Sequence, residues 1–287
     1  MIVRITGGLG NQMFQYALKK KLDLFYKTTN YIDLSFFETK KIHNNYELER
    51  VFGIKDAVCT PRSFYLKINT FINYFAYRLN IPFVRTFYSL SETKFGFYDR
   101  LFSLPNKDDY ILDGYWQSEH YFRDIREEVL KAFEFPVLND VNKQFLASIT
   151  DSFVLVSIHV RRGDFLTSSM YCRLSETDYY KKAIEYIKTN VSNPFFLVFS
   201  DDTEWCRNFF CDLNNVSFVD WNKGLDSFRD MQLMSLCKHN IIANSSFSWW
   251  GAWLNKNTDK IVISPKRFFS IQSLNEINLI PEHWVKL

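Results

Sequence analysis

The sequence predicts an α/β protein built on parallel sheet, and three observations carry that prediction. In the second half, short apolar runs rich in β-branched and aromatic residues alternate with segments of helical periodicity, the pattern of strands covered on both faces by crossover helices. The chain opens on an apolar run at 2–6 (IVRIT), a glycine turn and a helical repeat, which together read as strand, turn and helix. Polar clusters stand where strands are expected to end, and in open α/β sheets that is where ligands bind. A chain of 287 residues is about twice a common domain length, so two domains or one large one are expected.

Taken in order, apolar residues recur at helical spacing after the first turn through Met13, Phe14, Ala17, Leu18, Leu22 and Phe25. Residues 31–105, with aromatic-rich pieces such as FINYFAYRL, read only as helices and loops. A strand is expected at 110–116 (YILDGYW), then an amphipathic helix near 119–133. Pro136, Leu138, Asn139 and Asp140 mark a crossing between domains, which places the boundary at 140. Beyond it, strands are expected at 153–160, 195–199, 216–219, 240–243 and 260–264, with helices at 178–189, 203–210, 227–237 and 247–255.

Composition narrows the function. A net charge of +3 is too small for a phosphate-backbone binder, so no nucleic acid partner is expected. The short basic run Lys19 to Lys21 reads as a solvated helix face. No stretch reaches the length of a membrane span, and the first residues run straight into a strand rather than a signal peptide, so a protein neither spanning nor secreted is expected. The five cysteines are scattered and odd in number, as in a reducing cytoplasm. With no His-x-x-x-His or Asp-x-Asp spacing, no metal site is expected.

Four clusters could carry chemistry. Gly7 to Gln12 (GGLGNQ) lies between the first strand and helix, where glycines admit a ligand to the backbone and a helix start faces an anion; the alternative is a plain tight turn. His159-Val160-Arg161-Arg162-Gly163-Asp164 ends an apolar strand. Neighbouring residues on a strand face opposite ways, so one arginine can fork onto a phosphate while a carboxylate such as Asp164 holds the other; the alternative is an ion pair that merely closes the strand. In Phe199-Ser200-Asp201-Asp202-x-x-Trp205, one aspartate is expected to cap a helix and the other to meet a ligand. Asn244 to Ser248 (NSSFS) joins hydroxyls and an amide at a strand-to-helix turn suited to phosphate. The tryptophans that follow, Trp249, Trp250 and Trp253, are read as packing the helix on the sheet rather than stacking on a sugar.

Together, GGLGNQMFQYA, DGYWQSEHYF, HVRRGDF, FSDDTEW and NSSFSWWGAWL, in this order over roughly residues 1–265, resemble the α-1,2-fucosyltransferases of glycosyltransferase family 11. The resemblance implies a GT-B-like α/β fold, two Rossmann-like domains with parallel sheets facing a central cleft. Residues 1–140 would form the acceptor side with the glycine-rich loop, and residues 141–287 would hold GDP-fucose, the last of them packing back on the first domain. It implies no cofactor and no metal, with GDP-fucose and a β-galactoside glycan as partners. By the same resemblance Arg161 grips the β-phosphate, braced by Arg162 and Asp164. His159 and one of Asp201 and Asp202 lie near the ribose and guanine. Asn244, Ser245, Ser246, Phe247 and Ser248 reach the diphosphate, and Gly8, Gly10 and Asn11 close over the donor. Arg161, Asp164 and Asn11 form the expected catalytic set.

Two segments depart from the family pattern. LTSSMYCRLSET after Phe165 replaces a longer glycine-containing loop, and residues 55–105 match nothing in it. Two rivals remain at this point: a related enzyme with another nucleotide sugar or linkage, and an inactive nucleotide- or glycan-binding module. Clustered polar residues at three strand ends argue against a structural scaffold. A cytoplasmic place, with peripheral association at the inner membrane face, fits synthesis of a surface polysaccharide.

Overall fold

In a computed structural model the chain forms two compact units, Met1–Phe135 with Glu276–Pro281, and Pro136–Asn275 with Glu282–Leu287. The structure describes residues 1–59, 72, 74–76, 78–79, 81, 83–86, 89–92, 95–104, 110–149, 152–271 and 278–287. Phe71, Asn73 and Tyr77 of the FINYFAYRL piece, and much of the unmatched segment 55–105, lie outside the described residues. Among the described residues no helix is long and apolar enough to cross a membrane.

The first unit holds a five-stranded sheet of β1 (Ile2–Arg4), β2 (Tyr31–Asp33), β3 (Phe83–Thr86), β4 (Ser89–Glu92) and β5 (Ile111–Asp113), in the order β2-β1-β5-β4-β3. Neighbours run parallel except β3, which pairs antiparallel with β4. The reading of 31–105 as helices and loops is therefore corrected at three strands. β2 is three residues long, and β3 and β4 are four each, too short for periodicity to declare them. The strand expected at 110–116 stops at Asp113, because Gly114 to Trp116 turn away and Trp116 takes a left-handed backbone, φ 53°. The amphipathic helix expected from 119 is two short 3-10 turns followed by the helix Arg126–Ala132.

The helix Leu9–Tyr26 follows β1 and buries Met13, Phe14, Ala17, Leu18 and Leu22 as its spacing expects, whereas Phe25 of the same series is exposed. Lys19 departs from the solvated reading: it is buried and pairs with Asp23 at 2.8 Å and Asp56 at 2.9 Å. A buried ammonium needs such partners to offset its desolvation.

The second unit holds a six-stranded sheet of β6 (Val154–Val160), β7 (Pro194–Ser200), β8 (Val216–Val219), β9 (His239–Ile241), β10 (Val262–Ser264) and β11 (Val285–Lys286). The order is β11-β10-β9-β6-β7-β8 and every pairing is parallel. From β6 the chain steps outward to β7 and β8, then returns to lay β9, β10 and β11 on the other side. This is the strand order of a doubly wound nucleotide-binding sheet, and the order reverses between β6 and β9. Alternate residues serve opposite cores: Val156, Ile158, Val160, Phe196 and Val198 pack on one face, and Leu155, Leu197 and Phe199 on the other. That two-sided burial is why these strands read as unbroken apolar runs.

Candidate functional site

Near the carboxyl end of β6, the His159 side chain is buried. Its Nδ1 lies 2.8 Å from the Ser248 hydroxyl, and its carbonyl accepts a bond from the Tyr180 hydroxyl at 3.0 Å. Burial, and then the charge of Arg161, push the His159 imidazole down to about 3, so the ring is neutral near pH 7. Ser248 also accepts from the backbone N–H of Ala243 at 3.2 Å. One hydroxyl thus ties the end of β6 to the turn after β9, across the point where the strand order reverses.

Arg161 and Arg162 leave the strand in different directions. Arg161 forms ion pairs through Nη2 with Asp164 at 2.8 Å and through Nη1 with Asp201 at 3.1 Å. Arg162 donates through Nε to Asp202 at 3.0 Å and lies over the Trp205 ring, 4.3 Å from its centre. Asp202 caps the helix Thr203–Phe209 by accepting from the Trp205 N–H. The Arg162 bond, followed by that N–H, holds the Asp202 carboxyl below its usual range. Asp202 is thus the expected cap, while Asp201, expected to meet a ligand, accepts from the Arg162 backbone N–H at 2.9 Å. Both arginines are braced by carboxylates, whereas the sequence suggested a carboxylate on one of them only. Gly163 is required here, because a Cβ would stand 2.7 Å from Asp201 Oδ2.

After β9 the helix Ser246–Leu254 begins, capped by Ser245, whose hydroxyl accepts from the Phe247 N–H. Ser246 and Phe247 are partly exposed at this helix start. Ser248 is buried and its hydroxyl is taken up by the latch just described. Asn244 turns its amide nitrogen to the carbonyls of Cys172 and Phe268, at 2.9 and 2.8 Å, a scaffolding role that the sequence did not signal. Trp249, Trp250 and Trp253 are buried and pack against one another, as the packing reading expects. The second unit therefore brings together His159, Arg161, Arg162, Asp164, Asp201, Asp202 and residues 244–248.

Gly8, Gly10 and Asn11 lie in the first unit. Gly7 adopts φ 75°, and a Cβ on it would meet the Asn11 amide at 2.7 Å, so this turn needs glycine on two counts. Gly8 stands at the start of the helix Leu9–Tyr26, where no side chain caps it, and Gly10 is buried in its first turn. Asn11 Oδ1 accepts from the Gln117 amide at 2.7 Å, and Gln15 donates to the Gly114 carbonyl at 2.9 Å. The turns after the neighbouring parallel strands β1 and β5 are thereby joined. Beneath them Arg4 bridges Asp33 at 2.9 Å and Asp113 at 2.6 Å. Burial, opposed by Arg4 and assisted by Asp33, raises the Asp113 carboxyl. Sequence reasoning missed this triad, because its members come from three separate strands and share no local pattern.

The chain matches known proteins along its whole length. The model of the family described as Glycosyl transferase family 11 matches residues 1–287. The chain is 34% identical to the O-antigen biosynthesis glycosyltransferase WbnK of Escherichia coli over 304 residues, covering 99% of each. It is 31% identical to an alpha-1,2-colitosyltransferase of Escherichia coli, covering 100% of this chain and 98% of the relative. It is 27% identical to the human galactoside alpha-(1,2)-fucosyltransferase 1 over 158 residues, 50% of this chain and 42% of that one. A crystal structure of the fucosyltransferase NodZ from Bradyrhizobium is 13% identical with a TM-score of 0.49, covering 87% of this chain and 91% of that one.

Proposed function

The chain belongs to glycosyltransferase family 11, and from that membership we propose that it transfers L-fucose from GDP-fucose to the 2-hydroxyl of a terminal β-galactoside, inverting the anomeric carbon without a metal. The observation that carries this reading is the Arg161 guanidinium, held by two carboxylates at the carboxyl end of β6, beside the order reversal where doubly wound sheets take nucleotides.

When fucose departs, positive charge grows on its ring and negative charge on the β-phosphate. A guanidinium already in place meets that charge without reorganisation, and its fork matches two phosphate oxygens. Asp164 is more exposed than Asp201, so a phosphate can replace it on one edge of Arg161 while Asp201 keeps the other. The helix start at Ser246 adds backbone donors. Neutral His159, latched to Ser248, contributes a fixed polar edge with no charge of its own.

A specific observation favours a second donor. The relative named an alpha-1,2-colitosyltransferase aligns over the full length of this chain, and colitose is fucose without its 3-hydroxyl. The same fork and the same leaving nucleotide serve either sugar, so the choice rests on contacts to that one hydroxyl. We assign the reaction to surface polysaccharide synthesis at the cytoplasmic face of the membrane, in line with the O-antigen relative.

The test incubates the purified protein with GDP-fucose or GDP-colitose and a panel of β-galactosides, with the product linkage read by NMR. Calorimetry with GDP, UDP and CDP runs beside it. The expected results are an α-1,2 product, preference for GDP, and turnover unaffected by EDTA. Selective binding of UDP or CDP, or activity lost to the chelator, would overturn the proposal.

A further inference from the structure

The turn after β5 is built with unusual care for a stretch that carries one exposed side chain. Gly114 is obligatory, since a Cβ would lie 2.5 Å from the Glu92 Cβ. Glu92 Oε2 collects the backbone N–H groups of Tyr115 and Trp116 at 2.7 and 2.8 Å. Trp116 is fully buried and held at φ 53°, a conformation unfavourable for a bulky residue that persists only where the surroundings enforce it. What these constraints deliver is Tyr115, 40% exposed, with its ring stacked on Phe95 at 5.8 Å and 20°. Close by in the chain, the Asp113 carboxyl is 27% exposed. The hydroxyl of Tyr115 is raised by burial and then by the Asp113 and Glu92 charges.

We propose that the Tyr115 ring, stiffened by Phe95 and two residues along from the partly exposed Asp113 carboxyl, is the platform on which the acceptor's galactose lies. This rests on the acceptor class of the proposed function. A β-galactoside has one face made of C–H groups, which suits a flat ring, and hydroxyls along its rim, which suit a carboxylate acceptor. An open aromatic with few well-placed polar groups is the usual make-up of a small-ligand site. The turn also stands at the carboxyl end of β5, which pairs parallel with β1 and β4, and open α/β sheets bind ligands off the carboxyl ends of their strands.

Tyr115→Ala should raise the acceptor KM about tenfold, the scale of one lost aromatic contact, and leave GDP affinity by calorimetry unchanged. Tyr115→Phe keeps the ring and should restore KM to within about twofold. Saturation-transfer NMR with lactose reads the platform without any turnover: magnetisation should enter galactose through its C–H face in the natural protein and fade in Tyr115→Ala. An unchanged KM, or lactose signals indifferent to the alanine, would overturn the platform. If no sugar is transferred while lactose still binds through Tyr115, the transfer chemistry has failed and the platform stands.

Discussion

Arg161 illustrates how a single residue can be both paired and available. Two carboxylates hold its guanidinium, which under the proposed function spares it the cost of ordering when the nucleotide arrives. Lysine in its place keeps the charge but can form neither both bonds nor a phosphate fork. Arg161→Lys should therefore lower kcat by about 10² or more, measured as fucose transfer with donor saturating, while thermal unfolding shifts little because the side chain is partly exposed. Ser248 acts differently, since its hydroxyl serves the Ala243 N–H and His159 together. Ser248→Ala leaves two buried groups unmatched and should cost about 1–3 kcal/mol, read by denaturant unfolding. His159 itself is held well below its ordinary value. Its contribution to stability is present above about pH 6.5 and is lost as pH falls toward 3, so the rate profile near neutrality carries no inflection from this ring.

At the scale of elements, the loops do the positioning and the strands only aim them. The turn after β5 shows how a carboxyl can be recruited to that end. Burial, opposed by the bonds from Trp116, Tyr115 and Gly96, pushes Glu92 up to about 8. A carboxyl raised in the folded state contributes stability that is full below its unfolded value, near 4.5, and is lost as pH rises through about 8. The protein should accordingly be less stable to denaturant at high pH than at pH 5, and Glu92→Gln should flatten that slope. A slope unchanged in the variant would assign it to other groups, of which Asp230, raised by burial to about 7, is the leading candidate. The turn after β6 shows the same economy, with Gly163 leaving room for Asp201 to reach Arg161 and the Arg162 backbone together.

At the scale of the molecule, the chain does not finish one unit before starting the other. Residues Glu276–Pro281 belong to the first and Glu282–Leu287 to the second. The final segment supplies β11, two backbone bonds linking Leu287 to Ser264 and Lys266, and Trp284, buried against Trp249. Deleting residues 282–287 should expose Trp249 on the helix that begins at Ser246. We expect a red-shifted tryptophan emission and a Tm lowered by about 5 °C or more, with weaker GDP binding because the helix start moves. A truncated protein with unchanged Tm would mean that this strand adds nothing to the sheet.

How much of this could be read in advance follows from length and burial. The strands of the second unit were legible because both faces are covered, so their residues are apolar without interruption, and the helices between them are long enough to show a period. Its polar clusters were legible because each is contiguous in sequence, at the end of one strand. The strands β2 (YID), β3 (FVRT), β4 (SLSE) and β11 (VK) were not, because they are broken or cut short by polar residues and lack the apolar runs that announced the equally short β1 and β5, and neither was the buried state of Lys19, which depends on Asp56 far along the chain. The sequence by itself determined the α/β class, the winding of the second half and the family to which the motifs belong, since these rest on local periodicity and contiguous residues. Only the tertiary structure decided which carboxylate braces which arginine, that Ser248 latches His159 rather than standing open, and that Tyr115 is held outward. Those outcomes depend on groups that are distant in sequence meeting within hydrogen-bond reach, and the order of residues along a chain does not encode that distance in any local pattern.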